Sequence, residues 1–415
     1  MPHIDKTFLT HGDRHPGTGL RHYHHPVTTQ TPRFDTIDVL RGLSILAVVL
    51  LHTWLRLYFG GVHVDANLPR LLAHLLFRNG GNGVTVFFAI SGFLIAFTSL
   101  RRFGTLAAMR PLTFYRIRFA RIAPLLLTLL AVLSVLHLAH VEAFVIRPNV
   151  ATLPRALLAA LTFHLNIYEA AHGYLPPNWD VLWSLSIEEM FYLFFPLVCL
   201  ATIRWRHGLS LFATILLALV AMGPFARTTW YTDEVWRENN YLAGMSDIAV
   251  GCLAALLTHR LWPSRDSLRR SLIPIQILGA AMIFLIALWP PHQPILRFLG
   301  KSGLDDTALA LATSLVMLAS VLRNRPGRPW TAPLRWFGRH SYEVYLTHEF
   351  LVVFGTELYL KYRRGPVALW VIAILLLTAP LGALVAHLLS EPLNRRLRPK
   401  LDTIPPLKTR DANPA

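Results

Sequence analysis

Apolar residues in this chain gather into long runs separated by short polar connections. Runs near 37–57, 84–100, 118–140, 181–203, 209–226, 243–259, 273–289, 307–323, 341–359 and 366–389 dominate the pattern. Each approaches the roughly 20 residues a helix needs to cross the hydrocarbon of a bilayer. A single segment in lipid must satisfy its own backbone N–H and C=O groups, which a helix does and an open strand does not. The pattern therefore predicts an all-α polytopic membrane protein of about ten transmembrane helices. The apolar stretch 154–168 is too short to span and predicts an interfacial or re-entrant helix.

Composition agrees, with 53% hydrophobic and 15% charged residues, where a soluble chain carries about a quarter charged. Residues 1–33 depart from the pattern: they are polar and hold six of the 19 histidines. They predict a disordered, His-rich cytoplasmic tail, and 399–415 predicts a second one. The membrane domain is thus expected over 34–398, without room for an attached domain after it. Cys199 and Cys252 lie inside apolar runs and read as buried small hydrophobes, not as a disulfide framework.

The charge changes the picture by setting orientation. The net charge is +17, and its arginines cluster in three connections. Arg101, Arg102, Arg110 and Arg116 follow the second run, Arg260, Arg265, Arg269 and Arg270 the sixth, and Arg323, Arg325, Arg328, Arg335 and Arg339 the eighth. Basic connections stay cytoplasmic, so both termini are expected there too, although Lys361, Arg363 and Arg364 on the other side break the pattern. Anionic lipid accounts for such a distribution. A nucleic-acid partner would want a folded basic face interleaved with aromatics, which is absent.

Ionisable groups inside spans usually face a bundle interior, and four places stand out. In "DVLRGLSILAVVLLH", Arg41 and His52 are eleven positions apart, on one helical face and roughly 16 Å apart along the axis. In "WSLSIEEMFYLFFP", Glu188 and Glu189 enter the fourth run at a depth that matches His52, so one of them is expected beside the imidazole. In "FYRIRFARIAP", Arg118 and Arg121 share a face suited to phosphate, while Arg116 is rotated away. In "SYEVYLTH", Ser341, Tyr345 and His348 share another face, and His348 either joins a donor channel or bridges helices. Ser91 and Gly92, mid-span, read as close helix packing. Trp179 and Trp183 read as interface belt residues, and outer-loop aromatics such as Tyr168 and Tyr174 suit either sugar stacking or the interface.

Six stretches in order, from about residue 34 to 398, resemble the membrane acyltransferase family 3 of bacterial O-acetyltransferases. They are "LRGLSILAVVLLH", "GVTVFFAISGFLI", "FYRIRFARIAP", "WSLSIEEMFYLFFP", "SYEVYLTH" and "SEPLNRR". The resemblance implies an inner-membrane enzyme that passes an acyl group, commonly acetyl from acetyl-CoA, to a hydroxyl of a surface or lipid-linked carbohydrate. It implies Arg41 and His52 as an essential pair and Arg116 with Arg118 in donor handling, whereas helical geometry favours Arg118 with Arg121. It places Glu189 in the acidic motif. The expected catalytic set is His52, as general base or transient acyl carrier, with Glu189 as its orienter and Arg41. The expected donor-binding set is Arg116, Arg118, Arg121, Tyr345 and His348, with no metal. The competing reading is a secondary transporter that uses the same buried His, Glu and Arg groups.

Overall fold

The computed structural model describes residues 34–230, 233–288 and 294–399. The expected tails, 1–33 and all of 399–415 but its first residue, lie outside the described residues. All regular structure among the described residues is helical. Ten long helices coincide with the ten apolar runs: α1 (Asp35–Phe59), α2 (Gly80–Phe103), α3 (Pro111–Leu138), α4 (Leu182–Ile203), α5 (Gly208–Phe225), α6 (Tyr241–Leu261), α7 (Leu272–Leu288), α8 (Asp305–Arg323), α9 (Ser341–Tyr362) and α10 (Val367–Val385). Eight are long and apolar enough to cross a membrane, which makes the chain a multi-pass membrane protein. The other two are α7, short at 17 residues, and α9. That helix has 22 residues but carries Glu343, Glu349, Glu357 and Lys361. The expectation of ten spans is therefore not confirmed: among the described residues eight helices qualify.

Two helices form the centre. Within α2, 72% of the apolar window is buried, and within the span containing α6, 67%, against 22% for those containing α5 and α10. Their close crossing is a glycine effect. A Cβ on Gly92 would lie 1.8 Å from the carbonyl oxygen of Ile248, and one on Gly251 would lie 2.0 Å from that of Ala89. Only hydrogen fits there, so Gly92 packs helices as its sequence context suggested. Around this pair, Phe93, Phe97, Ile187, Ile248 and Met317 make one buried apolar cluster. Outward-facing leucines and phenylalanines of α3, α5, α7 and α10, such as Phe119, Leu217, Phe284 and Leu376, remain exposed for lipid.

One buried ionic network ties the core. Arg227, in the helical turn after α5, bonds Asp247 of α6 at 2.8 Å and Asp306 of α8 at 3.2 Å. Thr85 of α2 donates to Asp306 at 2.8 Å. Burying these charges is tolerable because each finds a partner.

The apolar stretch 154–168 forms two short helices, Leu153–Leu161 and Leu165–His172. Phe163 at φ 56° turns the chain between them. At 9 and 8 residues neither spans. Ala156, Ala159 and Leu165 pack on Leu133 of α3, Leu346 of α9 and Trp179. Trp179 is thus fully buried, a correction to its reading as an interface anchor.

Candidate active site

The two ends of the helical array meet at the ionisable residues. Helices α1 and α9 lie side by side and run in the same direction, joined by two polar rungs. At the first, Arg41 Nε donates to Ser341 Oγ at 3.1 Å. At the second, His52 Nδ1 lies 2.9 Å from His348 Nε2 and in direct contact with Glu349 Oε1. Arg56, one turn past His52, approaches Glu349 Oε2 at 3.9 Å.

Hydrogen-bond directions assign the protons at the second rung. His348 Nδ1 faces the backbone carbonyls of Tyr345, at 2.7 Å, and Val344, at 3.2 Å. Carbonyls only accept, so Nδ1 carries the hydrogen and neutral His348 offers a lone pair at Nε2. His52 Nδ1 therefore faces two acceptors, the Glu349 carboxylate and His348 Nε2, and carries the proton between them. In its neutral form His52 then presents Nε2 as the unprotonated nitrogen. The side chains of Glu349 and His348 are 4% and 0% exposed, while His52 keeps 22%. The two partners are sealed and the working imidazole is reachable.

These three residues present ligand atoms within 4.8 Å of one another. Ligand atoms at such a spacing suit a metal ion, and in this structure His52 contacts both His348 and Glu349 directly, which makes the set a hydrogen-bonded triad.

The carboxylate beside His52 is therefore Glu349, not Glu189 or Glu188. The reason is depth. Asp180, just before α4, lies within electrostatic reach of His52, and Glu188 lies eight residues further on, about 12 Å deeper by helical rise. At that depth Glu188 accepts hydrogen bonds from Ser91 and Tyr192 and pairs with Arg118 at 3.6 Å. Ser91 is thus a ligand to a carboxylate, in addition to sitting beside a packing glycine. Glu189 is buried, with Oε1 unpartnered, and its charged neighbours are Arg118, Glu188 and Arg121.

The arginines divide. Arg118 stacks on Tyr192, with its guanidinium carbon 3.5 Å from the ring centroid. Arg116 is exposed and lines a groove with Tyr115, Phe119 and Leu397. Arg121 is exposed as well and faces Arg41 closely enough for the two charges to repel. Of the expected donor-binding residues, Arg118 and Arg121 therefore gather with Arg41 and Glu188. Tyr345 and His348 make their hydrogen bonds elsewhere. Tyr345 Oη bonds Ser184 Oγ at 2.7 Å and the carbonyl of Val181 at 3.0 Å, and His348 belongs to the His52 triad.

Three participants went unnoticed in the sequence: Glu349, Arg56 and Asp180. Two had a signal. Glu349 follows His348 directly inside an apolar run, and Arg56 lies four residues from His52 on the same face.

The model of the acyltransferase domain matches residues 34–387. The chain is 26% identical, over 340 residues, to the peptidoglycan O-acetyltransferase OatA of Listeria monocytogenes, covering 77% of this chain and 50% of that protein. It is 23% identical, over 389 residues, to the O-acetyltransferase OatA of Staphylococcus aureus, covering 88% and 58%. The chain spans about half the length of the curated relatives it matches. No solved structure matches it. Matched along most of its length, and with the arginine–histidine helix and the acidic motif in the family's order, the chain belongs to the membrane acyltransferase family 3.

Proposed function

We propose that this protein transfers an acyl group, acetyl from acetyl-CoA in the simplest case, to a hydroxyl of a carbohydrate, with His52 as general base. The single observation that supports it most directly is the oriented His52 tautomer, with Nδ1–H held by Glu349 and His348 and Nε2 free. A sugar hydroxyl is a poor nucleophile and needs its proton removed as it attacks a thioester. The hydroxyl oxygen bonds to the acyl carbon, its proton moves to His52 Nε2, the C–S bond breaks, and the imidazolium returns the proton to the departing thiolate. The Glu349 carboxylate stabilises the imidazolium between these events.

Donor phosphates suit the arginine side. Arg41 and Arg121 face one space as like charges, an arrangement that an anion relieves, and planar guanidinium groups bind phosphate through forked hydrogen bonds. Arg118, engaged by Tyr192 and Glu188, shares the Glu188 charge with Arg41. The arginine-rich side is then cytoplasmic, at a bacterial inner membrane, and the triad lies toward the acceptor. Relatives named for peptidoglycan O-acetylation favour a polysaccharide acceptor. Nothing in the comparisons favours the transporter reading.

The test uses purified protein in nanodiscs with acetyl-CoA and candidate glycans. The wild type should release free CoA thiol in an acceptor-dependent way and acetylate the glycan, and His52→Ala should be slower by about 10²–10⁴-fold. Equal rates in the two proteins would refute His52 as the base. Solute uptake without thiol release would favour the transporter.

A further inference from the structure

Within electrostatic reach of His52 and Glu349 stands a second acidic group that the reaction above does not use. Residues Pro177–Asp180 form a short helical turn packed against α9, pinned by the Tyr345 hydrogen bond to the next carbonyl, that of Val181. Asp180 ends this turn. The charged and titratable groups that face it are His52 on α1, Glu349 on α9, and Glu169 on the helix Leu165–His172. Arg56 faces His52 and Glu349.

Glu169 is fully buried. Its Oε1 accepts the Leu175 N–H at 3.0 Å, and its Oε2 has no N–H or O–H partner; neither does the buried Oδ1 of Asp180. The two carboxyls lie within hydrogen-bonding reach of each other. Two carboxylates bond each other only when one holds a proton, and a shared proton would satisfy oxygens that are otherwise orphaned. Burial and the neighbouring Asp180 push the Glu169 carboxyl well above the usual carboxylate range. A pair that shares one proton carries a single negative charge.

We infer that Asp180 is a positioning residue for the His52 base, presenting the single charge of the Glu169–Asp180 pair to the imidazolium formed during transfer. This rests on the reading of His52 as the base. No bond is made to Asp180 in the reaction. The hydroxyl proton travels to His52 Nε2 and on to the thiolate, and the carboxyl pair keeps its own proton throughout. Glu169 determines where the charge sits. With Glu169 protonated, the anion is on Asp180, nearer His52.

Isosteric variants move that charge in opposite directions. In Glu169→Gln the amide donates to Asp180, so the full charge stays beside His52. In Asp180→Asn the charge retreats to Glu169. The experiment records the pH profile of acceptor-dependent thiol release for wild type, E169Q, D180N and H52A, with thermal unfolding of each in nanodiscs. The acid limb of kcat/KM reports ionisation of the free enzyme. It should move to higher pH in E169Q, with a rate within threefold of wild type. It should move to lower pH in D180N, with the rate falling tenfold or more. Shifts of the same sign, or no shift in either, would overturn the inference and leave the pair a structural clasp. If D180N unfolds, the sign of the E169Q shift alone decides. Full activity in H52A would instead overturn the base reading itself, and an inactive H52A with identical E169Q and D180N profiles would overturn only the role of Asp180.

Discussion

Glu349→Gln keeps the shape of a buried side chain and removes its charge, and it should lower kcat/KM by up to about 30-fold. When His52 takes a proton, its contact with Glu349 becomes an ion-assisted hydrogen bond, worth about 1.5–3 kcal/mol where a neutral one is worth about 1. The difference of as much as ~2 kcal/mol corresponds to roughly 30-fold in rate. In a serine-protease triad, the matching change costs about 10⁴-fold, because the neutral amide lets the imidazole settle in the wrong tautomer. Here His348 Nε2, 2.9 Å from His52 Nδ1, is a second acceptor that holds the proton in place. The loss should therefore stop near ~30-fold in Glu349→Gln and reach about 10⁴ only when His348→Ala is added. The assay is thiol release coupled to mass analysis of the glycan, with each variant checked for folding. A Glu349→Gln enzyme within threefold of wild type would refute the triad. So would a double variant no slower than the single one.

Other perturbations probe the scaffold and the arginine side. Gly92→Val places a branched side chain against the Ile248 carbonyl and should lower stability by at least about 1–3 kcal/mol, seen as a reduced thermal midpoint in detergent. Arg227→Ala strands Asp247 and Asp306 and should cost about 3–5 kcal/mol. Because Arg227 touches no residue of the triad, the fraction that stays folded should keep normal KM values. Arg118→Lys keeps the charge but loses stacking on Tyr192. A loss of about 1–2 kcal/mol should raise KM for the acyl donor by roughly tenfold or somewhat more, and an unchanged KM would remove Arg118 from the donor side.

The ten helices were legible because apolar run length is a local property, and each run became one helix. The α1 face bearing Arg41 and His52 was legible for the same reason, since helical pitch alone aligns them. What pairs with that face was not. Glu188 and Glu349 both sit in apolar runs at plausible depth, and choosing between them required knowing that residues 177–180 form their own turn before α4 begins. That turn pushes Glu188 below His52 and leaves α9 to supply the carboxylate. Trp179 misled for a related reason. An indole at a predicted boundary suits lipid headgroups, unless a short helix folds over it, and only the tertiary structure reveals Leu153–Leu161 and Leu165–His172 doing so.

The two rungs between α1 and α9 join residues 300 and 296 positions apart. At a synthesis rate of about 5–20 residues per second, the first helix emerges roughly 15–60 s before the partner that completes its proton relay. Throughout that interval Arg41 and His52 have neither Ser341 nor Glu349 to bond, although their helix is already long enough to insert. If His52 acts as proposed, competence arrives late in the life of each nascent chain, and a product truncated after α8 would keep most of the membrane helices without the groups that orient the imidazole.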